Sequence, residues 1–76
     1  MDVKEFIENF AGEFDNMPVE SLSENTVFKE LKEWDSLVAL SIISMIDENY
    51  EVQVTGEDLR NSNTVGDVFK IVSSKK

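Results

Sequence analysis

Asp35, Ser36 and Leu37 are the residues of this chain best placed to take part in a reaction. They precede a long apolar-rich stretch that runs to Tyr50, and the short carboxylate of Asp35 is of the kind that caps the free backbone N–H groups at a helix start. A serine one residue later has its hydroxyl beside those N–H groups and the positive end of the helix dipole, a place that favours a phosphate ester. The chain has no His and no Cys. Nothing within it therefore activates the hydroxyl, and Ser36 reads as an acceptor for another enzyme's transfer reaction, not as a nucleophile in its own right. The same absences remove disulfides, a thiolate nucleophile, the usual zinc ligands and the usual general base, so an enzyme is not expected. The competing reading is a helix-start serine that only helps to cap. A second motif, Asp47-x-Asn49-x-Glu51, hints at a calcium loop. Val52 stands where that loop needs glycine, which leaves a solvated helix end.

The elements that must position Ser36 follow from apolar spacing. Val3, Phe6, Ile7, Phe10, Ala11 and Phe14 fall at i, i+3, i+4, i+7, i+8, i+11, which predicts a core helix over about 2–15. Met17 and Pro18 mark where the chain has left it. Residues 17–34 carry Leu22, Val27, Phe28, Leu31 and Trp34, too apolar for a free linker, and read as a long packed loop with one helical turn near Phe28 and Leu31. Ala39, Ile42, Ile43, Ile46 and Tyr50 give the second helix its inner stripe. Leu37, Val38, Leu40 and Met45 lie off that stripe, so its first half is apolar nearly all round, as in a helix enclosed on several sides or one displaying a binding patch. Glu51–Val54 alternates but has no partner strand and reads as an extended connector. Thr55-x-x-Asp58 and Thr64-x-x-Asp67 are capping boxes, the first for a short helix through Leu59, the second for a closing helix with Val65, Val68, Phe69 and Val72 inward. The expected fold is all-α: a four-helix bundle of three longer helices and a short third one, with a long first loop, in a single domain over residues 1–76.

The 76 residues are 41% hydrophobic, enough for one modest core. Against 7 Lys and Arg stand 16 Asp and Glu, a net charge of −9. Nucleic acid and anionic lipid would repel most of such a surface, and basic protein faces are its natural long-range partners. No leader or membrane-spanning run is seen, so a cytoplasmic monomer is the expectation.

Asp35-Ser36-Leu37 at a helix start, in a small acidic four-helix domain with a long first loop, resembles the acyl carrier protein family. The resemblance covers most of the chain. Phe28 and Leu31 look like the family's Phe and Leu before the motif, and Asp47, Glu48 and Tyr50 like the end of its second helix. Val54, Leu59, Thr64 and Val65 fall where the family has its third-helix region and the Thr-Val of its last helix. The resemblance implies a fold of acyl-carrier type and 4′-phosphopantetheine esterified to Ser36 by a separate phosphopantetheinyl transferase, which takes it from coenzyme A. It implies thioester carriage of acyl groups for fatty-acid, polyketide or specialised pathways, with Asp35 and Leu37 meeting the transferase and Leu37 also the partner enzymes. An acyl chain between the helices would meet Phe28, Ile43, Ile46, Leu59 and Phe69, although core packing accounts for the same residues.

The sequence departs from the common carriers of fatty-acid synthesis at Val38 and Ser41, where those have acids. It also reads Leu31-Lys32-Glu33-Trp34 before the motif; Trp-Asp-Ser-Leu looks more like specialised carriers. Leu37, Val38, Leu40 and Met45 are accordingly expected to form an apolar docking face for acyl- or aminoacyl-loading ligases, synthases and transferases, with Asp47 and Glu48 steering at its far end. The alternative for these residues is simple core. An aminoacyl or peptidyl carrier is the nearest rival, and an unmodified acidic helical adaptor the rival of a different class.

Overall fold

The computed structural model describes residues 2–15 and 17–76. Four α-helices, α1 (Val3–Ala11), α2 (Ser36–Tyr50), α3 (Gly56–Arg60) and α4 (Val65–Lys75), enclose one core, and no strand forms among the described residues. Two single 3₁₀ turns, Val19–Ser21 and Phe28–Glu30, punctuate the segment between α1 and α2. The second is the helical turn expected near Phe28; the first lacks an apolar signature and was not anticipated.

Each helix start is fixed by a side chain. Asp2 accepts from the Lys4 N–H at 3.0 Å, and Asp35 from the Val38 N–H at 2.9 Å. Thr55 with Asp58 and Thr64 with Asp67 close reciprocal capping boxes. The first helix is shorter than the apolar spacing predicts, ending at Ala11 instead of near Asp15. Beyond it the chain tightens: the Glu13 N–H bonds to the Phe10 carbonyl and the Phe14 N–H to that of Ala11. These i→i+3 turns keep Phe14 on the inner side, so the stripe continues where the α-helix does not. At the far end of α2, Glu51 adopts a left-handed conformation (φ 57°, ψ 39°) that stops the helix. The connector that follows buries Val52 and Val54.

The core joins an aromatic cluster to aliphatic side chains of α2 and α4. Phe6 packs against Phe10, Tyr50 and Phe69, and Phe10 against Phe14 and Phe28. Ile42 and Ile46 of α2 and Val65, Val68 and Val72 of α4 complete it with no exposed surface. Met45, expected on the docking face, belongs here too at 4% exposure. It lies one turn before Asn49 on a flank of α2 that the bundle covers, so the all-round apolarity of this helix is partly core.

The loop is tied to α4. The N–H groups of Val65 and Gly66 donate to the Thr26 and Glu24 carbonyls at 3.0 and 2.8 Å. Two donors that a helix start leaves without intrahelical partners are thereby satisfied. A side chain at Gly66 would place its Cβ 2.9 Å from the Glu24 oxygen, so this approach requires glycine. At its other end α4 holds the connector and α3, with Lys75 Nζ donating to the Gln53 carbonyl at 2.9 Å and to Asp58 Oδ2 at 2.8 Å.

Candidate functional site

Three elements converge on Ser36. The Phe28–Glu30 turn sends the chain through Leu31, whose carbonyl accepts from the Trp34 N–H at 3.1 Å. The Trp34 ring stands edge-on to Phe28 with centroids 4.7 Å apart and lies 6.2 Å from Phe14. The residue before the motif is thus anchored in the aromatic core. Asp35 is extended (φ −152°, ψ −176°), and its carboxylate turns forward onto the Val38 N–H while its own carbonyl accepts from Ala39. Ser36 is then the first residue of a fifteen-residue helix, and it is exposed. Its hydroxyl projects where the backbone N–H groups of the first turn have no intrahelical acceptor and the dipole is positive. A phosphodiester fits there electrostatically, and the exposure lets a second protein reach the oxygen.

Beside Ser36 opens a cleft of about 620 Å³ between the α2 start and α3, lined by Lys29, Trp34, Asp35, Ser36, Ala39, Leu40, Ile43, Gly56, Leu59 and Arg60. Of the residues for which the sequence left cavity and core open, Ile43 and Leu59 line it. Phe28 and Ile46 do not: both are sealed in the core, and Phe69 lines a separate hollow beside Glu24 and Lys70. The sequence reading missed Lys29, Gly56 and Arg60. Lys29 and Arg60 are 31 positions apart, and no local pattern pairs them.

The outer surface of α2 carries Leu37 at 74% exposure and Leu40 at 61%, then the serines Ser41 and Ser44, then exposed Asp47 and Glu48. These residues recur at helical spacing along one face. Val38 is half-buried against the core instead of standing on the ridge, and Met45, only 4% exposed, lines a groove beside Leu37 and Leu40. Glu13, unremarked in the sequence, joins Leu37, Leu40 and Glu48 around a shallow groove.

No group of three or more metal-ligating side chains occurs among the described residues. At the former calcium candidate, Asn49 Nδ2 donates to the Met45 carbonyl of its own helix at 2.9 Å, as a helix-end amide does. No helix of the described residues is long and apolar enough to cross a membrane.

The family model for the phosphopantetheine attachment site matches residues 5–72, from the first helix to the last. No curated protein matches the chain.

Proposed function

The chain belongs to the phosphopantetheine-binding family of acyl carrier proteins, and from that premise we propose that Ser36 is the serine that carries the group. The family's cofactor is 4′-phosphopantetheine, bound covalently to a serine, and its domains are carriers modified by a phosphopantetheinyl transferase. The observation that supports Ser36 is its position: an exposed hydroxyl on the first residue of α2, at the mouth of the cleft, with the preceding Trp34 anchored. The group supplies a terminal thiol on a flexible arm, the one thiol of a protein without Cys.

The chain's own residues do the rest. Asp35 holds the first turn of α2 in register through the Val38 N–H, so the Ser36 hydroxyl has a fixed origin. Trp34, Phe28 and Phe14 keep the approach to that turn from swinging. Leu37 and Leu40 offer an apolar contact to the transferase and to the enzymes that load and unload the carrier, and Asp47 and Glu48 steer basic faces toward it. The cargo we assign is an acyl group on its way through a fatty-acid, polyketide or specialised pathway.

The deciding experiment is intact mass after incubation of the unmodified protein with coenzyme A, magnesium and a broad-specificity transferase, beside Ser36→Ala. One phosphopantetheine increment on the wild type and none on the variant is the expected result. An increment that persists in Ser36→Ala moves the site elsewhere, and none on folded wild type sinks the assignment. The docking face has its own test: Leu40→Asp weakens binding of a cognate loading enzyme at least tenfold, and wild-type affinity changes little with salt. A steep salt dependence with an indifferent Leu40→Asp would place the contact on the acids instead.

A further inference from the structure

We propose that Lys29 and Arg60 make the cleft beside Ser36 an anion subsite, which holds a negatively charged group delivered on the arm. The inference rests on Ser36 as the acceptor. It starts from an inversion of charge: the chain has 16 acids and 7 bases, yet the cleft is lined by two bases and one acid. That acid, Asp35, has its Oδ1 committed to the Val38 N–H. The Lys29 ammonium reaches across from the Phe28–Glu30 turn to donate to the carbonyl of Arg60, the last residue of α3. One hydrogen bond therefore pins the ammonium at the cleft, and two of its three N–H donors remain for another acceptor. Among the described residues the sole ion pair is Lys75 with Asp58, so neither Lys29 nor Arg60 is neutralised by a carboxylate.

The cleft's lining also includes the apolar side chains of Ala39, Ile43 and Leu59. Low-polarity walls strengthen the attraction between a fixed cation and an anion laid against them. Two groups share the required chemistry: the phosphodiester at the root of the arm, and a carboxylate at the end of an acyl cargo. An apolar stem ending in a carboxylate matches a lining that joins these apolar side chains to two cations.

The test uses the full-length protein, isotopically labelled, in four forms: unmodified, bearing the arm alone, bearing a butyryl arm and bearing a succinyl arm. Intact mass first verifies each form, and the Arg60 side-chain N–H and the Lys29 Cε resonances are then followed. A shift on adding the bare arm identifies the phosphodiester as the anion; a shift appearing only with succinyl identifies the cargo carboxylate. In either case the shift collapses in about 1 M salt. The Arg60 shift is also lost in Lys29→Gln and kept in Lys29→Arg, and the Lys29 shift is lost in Arg60→Gln, with the unmodified spectra verifying the fold of each variant. Resonances that stay put in all correctly loaded forms overturn the subsite alone. A protein that accepts no arm overturns the subsite and the Ser36 assignment together.

Discussion

Asp35 and Ser36 divide one task between them, the first fixing a helix start and the second presenting a hydroxyl from it. Removing the cap by Asp35→Ala costs about 1 kcal/mol of stability, read from the urea midpoint, whereas Asp35→Asn keeps the acceptor oxygen and holds stability within a few tenths of that figure. Transferase rates on the Asn variant then report on the carboxylate's charge apart from its capping. Met45 and Leu40 lie five positions apart on the same helix with opposite surroundings, 4% and 61% exposed. Met45→Ala is expected to cost about 2–5 kcal/mol, and Leu40→Ala to stay within about 0.5 kcal/mol. Equal losses in the two denaturation curves would contradict the division of α2 into a buried flank and an open ridge. From the sequence alone Met45 joins Leu37, Val38 and Leu40, because all four fall off the inner stripe. What separates them is the arrangement of the surrounding elements, which no spacing within α2 reveals.

The elements show where local signals suffice and where they fail. Asp35, Thr55 with Asp58, and Thr64 with Asp67 are short-range devices, and the starts of α2, α3 and α4 were legible from them to the residue. The end of α1 was not, because Phe14 prolongs the apolar period through turns that are no longer α-helical. The fastening of the loop to α4 was equally hidden. It joins backbone groups some 40 positions apart, and its only trace is a glycine at position 66, where a helix gives no local reason for one. Two glycines at helix starts should consequently answer oppositely to alanine. Gly56→Ala meets open space and is expected to stabilise by about 0.5–1 kcal/mol. Gly66→Ala drives Cβ into the Glu24 carbonyl and is expected to destabilise by about 1–3 kcal/mol. Glu51→Gly relieves a left-handed non-glycine residue and removes a negative charge from the α2 C-terminus, so a gain of about 1 kcal/mol is expected. Thermal or urea unfolding of the three variants checks the set.

At the scale of the whole molecule, a surplus of acids is held together by a few well-placed bonds, and acid tests those bonds. The Lys75 hydrogen bond, then the Thr55 N–H, hold the Asp58 carboxyl below its ordinary value; the N–H groups of Asn63 and Thr64 do so for Asp67. Groups with depressed folded values contribute stability that is present above the unfolded value of about 3.9 and is lost as pH falls through the folded one. Stability should therefore drop below about pH 4, and Asp58→Asn/Asp67→Asn should flatten that limb of a pH series of urea midpoints. Tyr50 marks the opposite limb. Burial pushes its phenol up, so its contribution is intact below a pH of about 10 and is lost as pH rises through the folded value. Trp34 has a further use. It is the one tryptophan, set edge-on to Phe28 with its outer side on the cleft. Under red-edge excitation its emission is that of a single fluorophore at the place where the arm begins. An arm folded inward strips water from the indole and moves the emission to the blue; an arm in solvent leaves it unchanged, so the protein signals optically, without a label, where its arm resides.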